Sequence, residues 1–253
     1  MSRAEFTLDP ITQQKMRTVL AADGVLRVGL NMANFLLVSG TDDHGAAIGL
    51  SPDLAHKIAE YLHVPCALVP FKGPGELADA IDQDVWDLAN IAVEPERAET
   101  IAFSQPYIHI DANFMTRKGV DILNNDDVNQ SGVRIILYDR SAYDLWLKDH
   151  YLRPEYIRVA TIQESHDRFL AGEGDVLASL KPKLMNELAE NADVTLIADP
   201  FTFIKQAVGM KKGHDDVRDG LNRIIAHLLA SGFIADSLNR HGVADKLSLP
   251  SAV

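Results

Sequence analysis

The sequence predicts an α/β protein built as two open lobes joined by two extended connectors. Short β-branched apolar runs alternate with amphipathic helical stretches, and that alternation occurs twice. Two long strand-like segments separate the series. With 253 residues, 47% hydrophobic and 24% charged, the chain suffices for one large domain or two lobes of about 100 residues each.

The first series opens with "VLRVGLNM" (25–32), a buried strand bounded by Gly24 and Asn31. "SPDLAHKIAEYLHV" reads as a helix with Ser51 as N-cap and Pro52 at its first position. Leu54, Ile58 and Leu62 recur every four residues, giving that helix one apolar face. "PCALVPF" follows as a strand, "GELADAIDQDV" as a helix and "WDLANIAV" as a strand. Such alternation makes βαβ units and a mainly parallel sheet.

In the second series, "GVRIILY" is a strand and "SAYDLWLKDHY" a helix capped by Ser141, with Asp144 as its capping-box partner. Then come "IRVA", "TIQESHDRFLAGEG", "DVLASL", "KPKLMNELAEN" and "DVTLIA", alternately strand and helix. The tail "DDVRDGLNRIIAHLLASGFIADSLNRHG" supplies two helices broken near Gly232. The connectors are 106–119 and 203–213. Lobe 1 is expected to span 1–108 plus 209–253 and lobe 2 to span 109–208, with hinges near 108–112 and 204–209. Open α/β sheets bind ligands beyond the carboxyl ends of their strands, and two facing sheets would share one cleft.

Net charge is −12, from 36 acids against 24 Lys and Arg. The bases do not cluster, so binding to nucleic acid is not expected. The single cysteine, Cys66, excludes an intramolecular disulfide and reads as a buried structural thiol. Nine histidines show no metal-ligand spacing, and neither metal nor cofactor is expected. No apolar run approaches the ~20 residues that cross a bilayer, so no membrane insertion is expected. The N-terminus shows no apolar h-region. Taken as written, with Met1 native, the protein would be cytoplasmic.

The ordered motifs "LRVGLN", "GLSPDLAHKIAEYLHV", "WDLANIAVEPERAETIAFSQPY", "GVRIILYDRSAYDLWL", "GEGDVLASLKPKL" and "FIKQAVGMKKGHDD" resemble the type II periplasmic binding proteins. More narrowly, they resemble the polar amino-acid-binding solute-binding proteins, bacterial family 3. The resemblance covers about 25–243. It implies the two-lobed hinged fold, a small carboxylate ligand, an ABC-transporter permease as partner, a periplasmic location and a monomer.

The resemblance makes Arg97, in the family's T-x-E-R motif, the clamp on the ligand carboxylate. A guanidinium presents a planar fork suited to that task. Spacing alone allows an exposed pair with Glu94, Glu96 or Glu99 instead. Asn90 and Ala92 occupy positions where the family often has hydroxyl side chains, and Ala92 can contribute only its backbone. Asn31 and Asn34 lie in the loop after the first strand, as ligand donors or as turn formers. Phe71, closing its strand, is counted with the ligand-binding residues. Arg140, Ser141 and Ala142 take the place of the family's Gly-Thr-Thr at a helix start, which attracts anions.

One departure matters. The family's aspartate for the ligand α-ammonium falls at Leu180, flanked by Ser179 and Lys181. Either Asp139 or Glu94 replaces it, or the ligand lacks an α-ammonium and Lys181 meets a second anionic group. Cyclohexadienyl dehydratases share the resemblance, but their general-acid glutamate falls at Lys183, a poor proton donor there. The chain is therefore read as a binding protein and not an enzyme. The remaining alternative is a sensor or interaction domain of altered specificity.

Overall fold

The computed structural model describes residues 6–250. In chain order the elements are α1 (Pro10–Leu20), β1 (Leu26–Asn31), β2 (Gly40–Thr41), β3 (Ala47–Ile48), α2 (Leu50–Leu62), β4 (Cys66–Phe71), α3 (Pro74–Asp79), β5 (Leu88–Ala92) and β6 (Ile101–Phe103). They continue with β7 (Ile108–Arg117), α4 (Asn125–Val128), β8 (Arg134–Tyr138), α5 (Ala142–His150), β9 (Glu155–Val159), α6 (Ile162–Leu170), β10 (Val176–Leu180) and α7 (Lys181–Glu190). The last are β11 (Val194–Leu196), β12 (Thr202–Lys211), α8 (Asp215–Ala230) and α9 (Phe233–Arg240). The chain divides into one unit of residues 1–108 and 206–253 and a second of 109–205.

In the first unit, β1 pairs in parallel with β4 and β5, while β12 runs antiparallel to β5 and β6. The parallel pairing follows from the helical crossovers between successive strands, and the antiparallel strand from the chain's return. Leu77, Ala80, Ile81, Trp86, Ala89, Ile91 and Ile101 form a core cluster. Trp86 Nε1 donates to the Leu77 carbonyl at 3.1 Å, which satisfies the buried indole. A Cβ at Gly29 would lie 2.5 Å from Leu77 Cδ1 and 3.4 Å from the Phe71 and Trp86 rings, so a larger residue there would force the Leu77 side chain to shift. Leu54, Ile58 and Leu62 of α2 are all buried, as their spacing predicts.

The second unit repeats the plan. Strand β8 pairs in parallel with β9 and β10, and β7 runs antiparallel to β10 and β11. Its core cluster is Met115, Ile136, Val159, Phe169, Leu177, Leu184 and Val194.

Four local expectations are corrected. Helix α2 starts at Leu50 with Gly49 at its N-cap, not Ser51. The Ser51 N–H donates to the Leu37 carbonyl (2.9 Å), so a loop carbonyl replaces the side-chain cap. "GELADAIDQDV" makes one short α-helix and then a tight turn over Ala80–Gln83. Strand β4 is half-buried because it lies at the sheet end, and Cys66 is only partly covered. Burial still pushes its thiol up to about 11. The capping box at α5 is incomplete. Ser141 Oγ accepts from the Asp144 N–H (3.1 Å), but the Asp144 carboxylate accepts from the Arg140 N–H (2.8 Å), one residue before the cap. The sequence reading also passed over α1, although Asp9 caps it and Pro10 begins it.

Candidate functional site

In the first unit the candidates gather at the carboxyl ends of three adjacent parallel strands. Asn31 closes β1 and lies in register with Phe71, which closes β4; Asn90 and Ala92 end β5, with Leu30 facing Asn90. Arg97 follows on the single tight turn Arg97–Glu99. The turn folds the chain back, so Arg97 Nη1 donates to the Ala92 carbonyl at 3.1 Å. Arg97 is only 5% exposed, so the solvent-facing turn that spacing alone allows is not its setting. The backbone of Ala92, its sole polar resource, serves to aim the guanidinium.

Asn90 is fixed within the protein. Its Nδ2 donates to the Ser51 carbonyl (3.3 Å) and its Oδ1 accepts from the Tyr107 hydroxyl (3.1 Å). These bonds join β5, the first turn of α2 and the buried Tyr107. The sequence reading missed Tyr107, although "SQPY" placed it just past the Arg97 loop. Asn31 Oδ1 accepts from the Ala33 N–H (3.1 Å), which is the turn-forming role. Asn34 is buried, and its Oδ1 has no hydrogen-bond partner. Phe71 packs its ring against the first unit's core cluster, where the apolar interior holds it.

In the second unit, Ser141, Ala142 and Lys181 follow the carboxyl ends of the parallel strands β8 and β10. The first-turn N–H groups of α5 have no intrahelical acceptor and carry partial positive charge. Asp144 in that turn would oppose an anion. Its carboxylate is engaged by Arg158, with Nε at 3.0 and 3.2 Å and Nη2 at 3.0 Å, so the local charge is balanced. Arg140, where the resemblance places glycine, adopts φ 55°. Lys181 Nζ lies 3.3 Å from Asp111 Oδ2 on β7, both half-exposed. Its charge is thus shared with an acid that the sequence reading did not consider. Lys183 Nζ donates to Gln163 Oε1 (3.1 Å) and lies 3.8 Å from Glu187 Oε1.

Residues 26–243 match the model of the bacterial extracellular solute-binding proteins, family 3. The chain belongs to that family. Among its relatives is the L-cystine-binding protein TcyJ of Escherichia coli K12, 26% identical over 216 residues that cover 83% of this chain and 79% of that protein. The fold matches that of type II periplasmic binding proteins. A variant of ArgBP from T. maritima aligns with TM-score 0.72 at 19% identity, over 91% of this chain and 99% of its own. An ABC-transporter binding component from Wolinella succinogenes, complexed with lysine, aligns with TM-score 0.72 at 22% identity, over 86% and 95%. The ancestral amino acid-binding protein AncCDT-1, a precursor of cyclohexadienyl dehydratase, gives 0.71 at 20%, over 90% and 98%.

Among the described residues, no group of His, Cys, Asp and Glu could hold a metal ion, and no helix is long and apolar enough to cross a membrane.

Proposed function

We propose that this family member captures a small polar carboxylate, an amino acid or a related organic acid, and hands it to an ABC-transporter permease. In this reading Arg97 holds the carboxylate and the start of α5 supplies backbone donors from the second unit, with hinge closure completing the capture. The observation that carries it is the buried guanidinium of Arg97 beside the carboxyl end of β5, aimed by the Ala92 carbonyl. A buried guanidinium facing an anion gains strength as water leaves. The L-cystine-binding relative and the structural neighbours bound to arginine and to lysine support the amino-acid class. Lys181 does not argue for a dicarboxylate, because Asp111 already accompanies it.

Catalysis of the dehydratase kind is not part of this reading. Lys183 stands at the general-acid position and is committed to Gln163 and Glu187. The test is a thermal-shift screen of amino acids, monocarboxylates and dicarboxylates. A ligand at 100 times its Kd should stabilise the fold by about 2.7 kcal/mol. The same screen on Arg97→Ala should be flat. A flat screen on the wild type would favour a sensor or interaction domain, and phenylpyruvate formed from prephenate would restore the enzyme reading.

A further inference from the structure

A cavity of about 150 Å³ lies in the first unit at the amino ends of its strands, the opposite end of β5 from Ala92 and Arg97. Its floor is apolar and buried: Leu20 ends α1, Ile81 lies in the turn after α3, Trp86 precedes β5 and Met210 is on β12. An apolar cavity of this size accepts a benzene-sized ring. The rim is charged, formed by Asp84, Asp87, Lys211 and His214. An apolar floor with a few polar groups at its edge is the usual make-up of a small-molecule site.

The rim groups differ in what they already meet. Arg27 takes both acids: its Nη2 donates to Asp84 Oδ1 (2.8 Å) and Asp87 Oδ1 (2.6 Å), and its Nε donates to Asp87 Oδ2 (3.1 Å). The bases are not matched in this way. The aspartates that follow them in the chain are held elsewhere, Asp215 by Arg218 (3.2 Å) and Asp216 by Lys15 (3.1 Å). His214 precedes α8 without its side chain capping the helix. Among the described residues, neither the Lys211 ammonium nor the His214 ring has a hydrogen-bond or ion-pair partner. Two donors beside an apolar hollow are therefore left for an outside acceptor.

We propose that this cavity is a second ligand site and takes a small ring-bearing monocarboxylate. The ring lies on Leu20, Ile81, Trp86 and Met210, and the carboxylate accepts from Lys211 Nζ and a His214 ring N–H. The rim also sets the charge of the ligand. One arginine serves two acids there, so a dianion is repelled, whereas a single negative charge is matched by Lys211. A cation would have to compete with Arg27 for Asp84 and would lie against Lys211. A neutral ring gains only the floor. The site uses neither Arg97 nor α5, so it does not rest on the binding reading above.

Trp86 lines the cavity and reports on it directly, and Trp146→Phe removes the other tryptophan of the chain. In that variant, cyclohexanecarboxylate should shift the Trp86 emission saturably. Neutral cyclohexanemethanol should bind about 2- to 5-fold more weakly, the scale of one exposed charge pair, and cyclohexylamine more weakly still. Adding Lys211→Gln and His214→Gln together should erase the difference between acid and alcohol. With Arg97→Ala, which removes the carboxylate clamp of the first site, the Trp86 response should persist. In the wild type, the Lys211 and His214 backbone amides followed by NMR should give the same affinity. No saturable response by either readout, or one lost with Arg97→Ala, would overturn the proposal. So would a preference for the amine, or an acid–alcohol difference that survives the double substitution.

Discussion

Arg134 grips Asp175 with three hydrogen bonds, from its backbone N–H (2.9 Å), Nε (3.1 Å) and Nη2 (3.0 Å). Arg27 treats Asp87 in the same way, at 2.8, 3.1 and 2.6 Å. In each unit the arginine lies at the start of the central parallel strand, second in β1 and first in β8, and the aspartate precedes the strand beside it. The Asp87 and Asp175 N–H groups return a bond to the Arg27 and Arg134 carbonyls, both at 2.9 Å. One strand-start clamp is therefore used twice, and it fixes where the parallel pairing begins.

Asp175→Asn should cost about 0.5–1.5 kcal/mol and Asp87→Asn, the more covered site, about 1–3 kcal/mol in denaturant unfolding. The hydrogen bonds from Arg134 hold the Asp175 carboxyl below its ordinary range, against an opposing push from burial. Its stabilisation is therefore present above the ordinary carboxylate pKa and disappears as pH falls through the lowered one. Asp175→Asn should flatten that part of the acid-unfolding profile. An unchanged profile would show that the clamp carries no linked stability.

Tyr107→Phe should leave Asn90 Oδ1 with one bond fewer, at a cost of about 1 kcal/mol. Asn90→Ala should cost more, about 2–3 kcal/mol, because the buried Tyr107 hydroxyl then loses its partner. Calorimetric melting of both variants gives the comparison, and the reverse order would refute the assigned bond.

Arg140 sits at φ 55°, a region that costs a side-chain-bearing residue about 1 kcal/mol and glycine almost nothing. Arg140→Gly should fold with unchanged or slightly raised Tm. Arg140→Val should lose about 1–2 kcal/mol, since a β-branched residue is worst placed there. Equal Tm values for the two would show that the turn relaxes.

Asp53 on α2 latches α9. Ser237 Oγ (2.5 Å) and Arg240 Nη2 (2.8 Å) donate to its Oδ2, and His241 Nε2 lies 3.0 Å away. Burial pushes the Asp53 carboxyl up, but these three contacts outweigh it and hold the pKa below its ordinary value. The latch thus stabilises above the ordinary carboxylate pKa and weakens as pH falls through the lowered value. Asp53→Asn should cost about 1–3 kcal/mol at pH 7, and that cost should shrink only as pH falls through the lowered carboxyl value. Hydrogen exchange should show α9 opening first. A pH-independent cost would mean that packing, not charge, holds this helix.

The alternation of the main strands and helices from β1 onward, the apolar face of α2 and the motif around Arg97 were legible in the sequence, whereas α1 was not. These features are local, since spacing of apolar residues and turn chemistry act over a few positions. The start of α2 was misplaced because its cap is the carbonyl of Leu37, twelve or more residues away in the chain. What Arg97 points at, which bonds occupy Asn90, and the pairing of Lys181 with Asp111 all needed tertiary structure. Each depends on a partner delivered by another strand or loop, and pairing across that distance leaves no period in the sequence. The chain's own pattern determined its layers; only the packed fold decided which polar groups are already satisfied within it.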